Sequence, residues 1–263
     1  MYSRLKNRPE GSQYYSDTTA STEEPTSIAE VLVEPACMRV HHGSWGSTAT
    51  AIGVLLCAVT TAMGESSNPQ TVRFSALERS LVEPLASALS AQAQPLCLES
   101  QSRCGLYMRP DGAPMPPPAP LPQGAKLRPL RASDAPTLDA RWTYRSATSL
   151  PMVASMLESG DPGNVGIELE DGSLAGWVAR YTDGALGMLY VEEAHRRRGL
   201  ARALVMAAAR ALDSAGLPCF AYIVDGNEAS ESVFQRLGWR RVADADWLTF
   251  VPCSLDGKAP EKG

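Results

Sequence analysis

Three consecutive arginines and a glycine, Arg196-Arg197-Arg198-Gly199, stand between the apolar run Leu186 to Val191 and a helical pattern that opens at Gly199 with Leu200, Ala201 and Arg202. The first main-chain N–H groups of a helix have no partner within it, and the helix dipole is positive there. A loop without bulky side chains at that point can wrap a phosphate or pyrophosphate, and flanking guanidinium groups add charge. The order strand, basic glycine loop, helix therefore points to a nucleotide-type ligand. Taken alone, three arginines also fit a solvated surface run, and the glycine a simple turn. Further along, Asn227 opens a second helical pattern through Val233, Phe234 and Leu237 that stops at Gly238, and Asn227 suits a helix cap as well as a ligand contact. Tyr190, Tyr222 and Trp177 fall on strand patterns, where aromatic residues normally pack as core or groove walls.

The elements that must position these residues lie downstream of Lys126. Leu127 to Leu130 reads as a short strand, and Ser133-Asp134-Ala135-Pro136 supplies the polar cap and early proline of a helix running through Trp142. Val165 to Leu169, Leu174 to Tyr181 and Leu186 to Val191 read as three antiparallel strands joined at Asp171-Gly172 and Asp183-Gly184. Leu200, Leu204, Ala207, Ala208 and Ala211 share a helical face, Gly216 can end that helix, Cys219 to Val224 returns as a buried strand, and Trp247 to Val251 is the last strand.

This order of elements, the Arg196-x-x-Gly199-x-Ala201 loop and the helix from Asn227 before Gly238-Trp239 resemble the acyl-CoA-binding core of the GNAT acyltransferase superfamily. The resemblance covers roughly residues 126 to 254. Within the superfamily, Ser173 to Val178, Asp183 to Leu189 and the ending Trp247 to Pro252 are most similar to glycine N-acyltransferase-like proteins. The implied fold is α/β: a mixed, mostly antiparallel sheet with a splayed central strand pair flanked by helices, preceded by a largely disordered N-terminal region. The resemblance further implies that pantetheine fills the gap beside Leu186 to Val191, with a backbone N–H near Leu189, Tyr190 and Val191 meeting the thioester carbonyl. The pyrophosphate is then expected on Arg196, Arg197, Arg198, Gly199, Leu200, Ala201 and Arg202, and Asn227 reaches the pantetheine or phosphate arm.

The expected activity is acyl-CoA-dependent N-acyl transfer to glycine or another small amine by direct attack, with acyl-CoA or acetyl-CoA as cosubstrate and no permanently bound cofactor or metal. A peptide or protein N-acetyltransferase and a weakly active acyl-CoA-binding module are the alternatives. Many superfamily members carry a tyrosine seven residues after the asparagine, where this chain has Phe234, and a glutamate associated with glycine acyltransferase-like enzymes aligns with Ala185. Asp183 and His195 are the candidates for a base that takes the amine proton, each also readable as a turn or surface residue; Glu192 and Glu193 follow the same strand.

The remainder of the chain of 263 residues divides by composition. Residues 1–65 are a disordered or targeting-like segment: Met1 to Thr48 is polar and Gly/Pro-interrupted, and Gly43 to Gly64 lacks charge but is too diluted for a membrane span. It reads as a buried or loosely helical segment, or as signal-like if translation starts at Met38. Residues 66–109 read as an accessory helical segment, since Phe74, Leu77, Leu81, Leu85 and Leu89 recur at steps of three or four despite Pro84. Residues 110–125 form a Pro-rich linker, or a ligand for a partner domain, and 255–263 a disordered tail. A net charge of -5 gives no general reason to expect nucleic acid. The six cysteines show no CxxC pair and read as isolated thiols. A cytoplasmic or mitochondrial location is the expectation.

Overall fold

The computed structural model describes residues 71–110, 113, 116–117 and 120–254, together with 12–16, 28–34, 37–41, 52 and 55–56. In chain order the elements are β1 (Ser12–Ser16), β2 (Ile28–Glu34), β3 (Cys37–His41), β4 (Val72–Glu78), α1 (Val82–Ser90), β5 (Leu96–Met108), β6 (Lys126–Pro129), α2 (Ala135–Arg141), α3 (Ser149–Glu158), β7 (Val165–Glu168), β8 (Leu174–Arg180), β9 (Leu186–Val191), α4 (Leu200–Ser214), β10 (Phe220–Val224), α5 (Glu228–Arg236) and β11 (Arg240–Pro252). The chain divides into two compact units, one of Met1–Cys104 with Asp244–Gly263 and one of Gly105–Ala243.

In the first unit β4 pairs antiparallel with β11, from Val72 opposite Phe250 to Glu78 opposite Ala245, and parallel with β3. The periodicity from Val72 to Leu89 predicts one helix, but the structure makes a strand of its first half and begins α1 only at Val82. Phe74 and Leu77 are buried in both readings, so spacing cannot separate them. Pro84 settles the boundary: it lies in the first turn of α1, where a missing N–H costs nothing, whereas a helix begun at Val72 would carry it in its interior. Phe74 meets Phe250 edge-on at 5.6 Å, and Leu55, Leu81, Leu85, Leu89, Leu96 and Leu248 complete the core. Asp246, fully buried, accepts from Arg79 Nε at 3.1 Å and from Gln101 at 2.7 Å, so its burial is compensated by partners.

Two of the expected isolated thiols are joined: Cys97 and Cys253 form a disulfide across 156 residues of sequence, a closeness that sequence spacing does not encode. Cys104 and Cys219 are buried and stand outside that disulfide. The expected N-terminal disorder and signal-like segment fall largely outside the described residues; within that span β1, β2 and β3 pair antiparallel in succession, and Leu55 is buried in the core. Among the described residues no helix is long and apolar enough to cross a membrane, and no group of His, Cys, Asp or Glu is placed to hold a metal ion.

The second unit holds the strand order β10-β9-β8-β7-β6, parallel at β9–β10 and antiparallel elsewhere. Both faces of β8 are covered, which is why Ala175 to Ala179 is buried without alternation. Ala175 and Val178 pack with Leu200, Leu204, Ala208 and Leu212 of α4, while Trp177 and Ala179 pack with Leu138, Val153 and Leu157 of α2 and α3. Helix α4 ends as its glycine predicts: Gly216 takes φ 65° and Leu217 N–H returns to Leu212 carbonyl at 3.0 Å. Helix α3 was not legible as a separate element.

Rather than standing clear as a spacer, the Pro-rich segment is fastened to α4. Arg109 pairs with Asp213 and donates to Ala113 carbonyl, Arg210 donates to Pro116 carbonyl, and Leu121 and Ala125 pack on the core beside Tyr107.

Candidate functional site

The site begins where two strands part. Parallel β9 and β10 are in register at a single pair, Leu186 with Ala221, beyond which they diverge. Along β8 the partners run from Trp177–Tyr190 to Ala179–Gly187, so two steps on β8 face three on β9 and one residue is extra. That bulge coincides with Met188, which takes φ 49°. A bulge bends its strand and leaves backbone groups unpaired. A cleft of about 170 Å³ fills the divergence, lined by Leu186 to Tyr190, Ala221 to Val224, Asn227, Ser230 and Phe234, and on the other side by Leu138, Arg141 to Tyr144, Trp177 and Tyr181. An extended molecule carrying amide groups can lie there and pair with the free strand edges.

The basic loop follows β9. Arg197 takes φ 61° and Gly199 φ 79°, and Gly199 is the N-cap of α4 with no side-chain cap. A Cβ on Gly199 would meet no protein atom within 4 Å, so the space above this helix start is open. Arg197, Arg198 and Arg202 are exposed and have no ion-pair partner among the described residues. Leu200 is buried and Ala201 half-buried, so these two offer main chain rather than side chains. Arg196 behaves differently: it folds back on β9, with Nε donating to Val191 carbonyl at 3.0 Å and its guanidinium 5.5 Å from the Tyr190 ring centre.

Of the strand residues expected at the thioester, Leu189 and Tyr190 line the cleft; Val191 does not, and its carbonyl is already engaged by Arg196. Asn227 both caps α5, its Oδ1 accepting from Ser230 N–H at 3.2 Å, and lines the cleft. Phe234 is buried with its ring 4.7 Å from Trp239, and Trp177 stacks on Tyr190 at 5.1 Å, so these aromatics are walls.

Neither candidate base lies in the cleft. Asp183 sits in the β8–β9 turn and accepts from Ala185 N–H at 2.9 Å, the ordinary work of a turn aspartate. His195 lines a separate open depression with Asp134, Thr137, Ser173, Glu192 and Glu193. The turn before β9 and the helical turn after it carry both residues away from the strand gap. Ala185, where the resemblance would place a glutamate, is buried.

Two contributions were not read from the sequence. Tyr181 directly follows β8 and enters the cleft beside Trp142; burial drives its hydroxyl well above the usual phenol range, with hydrogen bonds from Trp142 and the Met188 backbone pulling the other way. Arg141 ends α2 and is the one charged residue lining the cleft among the described residues. The available signal was the run Arg141-Trp142-Thr143-Tyr144 directly after a helix pattern.

Residues 164–248 match the family model described as FR47-like protein. No curated protein matches the chain. A Drosophila protein of known structure is 22% identical with a TM-score of 0.66, covering 92% of this chain and 80% of its own. A GCN5-related N-acetyltransferase from Sphaerobacter thermophilus is 15% identical with a TM-score of 0.56, covering 90% and 80%. A tandem GNAT protein from the clavulanic acid biosynthesis pathway is 15% identical with a TM-score of 0.55, covering 93% and 85%. The chain has the fold of the GCN5-related N-acetyltransferases, and its parted strands and basic loop fall within the FR47-like stretch.

Proposed function

We propose that this chain is an acyl-CoA-dependent N-acyltransferase. The observation that carries the reading is the divergence of β9 from β10 after one register pair, directly before an open helix start flanked by Arg197, Arg198 and Arg202. Pyrophosphate oxygens are suited to the N–H groups of that helix start, and pantetheine amides to the free strand edges. The thioester carbonyl then lies near the bulge at Met188 and Leu189, where a backbone N–H can stabilise the oxyanion. The amine attacks the carbonyl carbon, the new C–N bond forms as the C–S bond breaks, the amine's proton passes to water, and the departing thiolate is reprotonated from solvent. With Phe234 and Ala185 in place, no side-chain acid or base is assigned to these transfers.

Glycine or another small amine is the proposed acceptor, supported by the resemblance of Ser173 to Val178 and Asp183 to Leu189 to glycine N-acyltransferase-like proteins. The same Phe234 and Ala185 favour a second reading, an acyl-CoA-binding module with little turnover. Titration with CoA, followed by thiol release from a series of acyl-CoA chain lengths against free amino acids, simple amines and short peptides, separates them. Transfer to a free amine supports the proposal, transfer to peptides alone shifts it to a peptide acetyltransferase, and tight binding without thiol release favours the module. Absence of CoA binding overturns both.

A further inference from the structure

We propose that Arg141 anchors the carboxylate of the acceptor, and that among the amine acceptors considered above an α-amino acid with an apolar side chain is preferred to glycine and to a simple amine. This rests on the acyl-transfer reading of the cleft. Of the nineteen residues lining the cleft, Arg141 alone carries a charge, and no carboxylate stands among them. A monoamine arriving as ammonium meets a cation there and no carboxylate in the cleft lining to receive it. A zwitterion instead brings its own carboxylate to the guanidinium and leaves its amine one carbon away.

The guanidinium is held ready for that role. Its Nε donates to Glu192 Oε1 at 3.0 Å, while Nη1 and Nη2 have no partner among the described residues. Those two nitrogens form the end of the planar fork that matches both oxygens of a carboxylate. Glu192 fixes the plane from the far side: it continues the β8–β9 ladder, with its N–H on Ala175 carbonyl at 2.9 Å, and it lines the neighbouring depression rather than the cleft. The backbone of Arg141 is also fixed. Buried Asp139 accepts from Ser149 Oγ and from Arg145 Nε, clasping both ends of the connection that carries Trp142 to Tyr144. Anchor and wall are therefore positioned before a ligand arrives, which lowers the ordering cost of binding.

The wall selects the side chain. Trp142, Tyr144 and Tyr181 form an aromatic series beside Arg141, with Trp142 centred 6.1 Å from Tyr144 and 6.4 Å from Tyr181. Glycine would leave those rings hydrated, whereas an apolar side chain covers them.

The test measures thiol release from acetyl-CoA with phenylalanine, phenethylamine, alanine, ethylamine and glycine, for the wild type, Arg141→Gln, Arg141→Lys and Glu192→Gln. In the wild type phenylalanine and alanine are each expected to exceed their decarboxylated counterparts in kcat/KM by roughly 10- to 100-fold, the worth of a charge-assisted hydrogen bond. Phenylalanine is expected to exceed glycine. Arg141→Gln brings the ratio toward one by raising the amino-acid KM rather than lowering kcat, with the acetyl-CoA KM as internal control. Arg141→Lys keeps charge without the fork and falls between. Glu192→Gln, which removes the competing carboxylate, keeps the preference. Equal use of amino acids and amines by the wild type, or an equal loss for both in Arg141→Gln, overturns the anchor. If no acceptor releases thiol, calorimetric titration with N-acetylphenylalanine decides the two questions separately. Binding to the wild type but not to Arg141→Gln retains the anchor while the transfer reading fails, and equal or absent binding overturns the anchor.

Discussion

Gly187 lies beneath Tyr181: a Cβ on that glycine would sit 2.0 Å from Cε2 of the tyrosine ring. A glycine in a strand interior ordinarily weakens the strand, so its presence in β9 calls for a close neighbour, and Tyr181 is that neighbour. The pair places an aromatic ring against the bulge at Met188, at the foot of the cleft.

Gly187→Ala is accordingly expected to destabilise the protein by about 1–3 kcal/mol through overpacking and to reduce turnover by moving Tyr181. In a Tyr181→Ala background the same substitution should be neutral or stabilising by roughly 0.5 kcal/mol, since alanine suits a strand better once the space is open. Denaturant melts of the four proteins give the cycle. An equal loss in both backgrounds would show that the ring is not what excludes a side chain.

The order of strands around the site was legible because each is bounded by a turn with its own chemistry: Asp171-Gly172, Asp183-Gly184 and Gly216 all carry the positive φ that a glycine signals. The basic loop was legible because arginines beside a glycine at a helix start have few structural uses. What stayed hidden depends on contacts distant in sequence. The strand at Val72 needs Phe250 to bury Phe74, Cys97 needs Cys253, and Arg141 gains meaning only when α2 brings it to the mouth of the strand gap. Asp183 and His195 show the converse: closeness in sequence to β9 puts them next to the strand but not into the lining of the gap.

The proposed phosphate-binding role of the loop at Gly199 can be tested with backbone strain separated from ligand exclusion. At φ 79° a side chain at position 199 costs about 1–2 kcal/mol, although its Cβ would lie in open space. Gly199→Ala should thus lose stability while keeping much of its CoA affinity. Gly199→Glu shares the strain, but its carboxylate also sits favourably at the helix N-terminus, so it should be at least as stable as the alanine variant. It should bind CoA at least roughly tenfold more weakly, because the same carboxylate meets the phosphates. Equal CoA affinity in the two variants would remove the loop from the binding site.

Cys219 makes a pH prediction with a definite sign. Burial, reinforced by Asp213, pushes its thiol from the usual 9.0 up to about 12, against the pull of Arg109 and Arg180. Between about 9 and 12 the unfolded chain therefore gives up this proton while the folded chain keeps it, and the stability associated with the neutral thiol, complete below pH 9, is lost as pH rises through that window. Cys219→Ala should show a shallower alkaline fall in stability than the wild type. At pH 8 Cys219 should resist alkylation in the folded protein and react promptly in denaturant; rapid labelling of the native chain at this residue would contradict its burial.

Phe234 poses the question of how a thiolate leaves without the tyrosine that many GNAT enzymes use. Its ring is packed against Trp239 and borders the cleft, so a hydroxyl added at its tip reaches either the cleft or an apolar wall. In the wall it would lack a partner and cost about 1–3 kcal/mol of stability; in the cleft it would be free to donate to sulfur. A thiolate is a good enough leaving group that solvent can reprotonate it, so Phe234→Tyr is expected to change kcat by less than roughly threefold at neutral pH, with acyl-CoA affinity little altered. Measurement requires an acceptor that the wild type uses, and a thermal melt to detect the buried-hydroxyl cost. A rise in kcat of tenfold or more without a change in acyl-CoA affinity would mean that a missing acid limits the proposed transfer, and would move the rate-determining event from amine attack to departure of the thiolate.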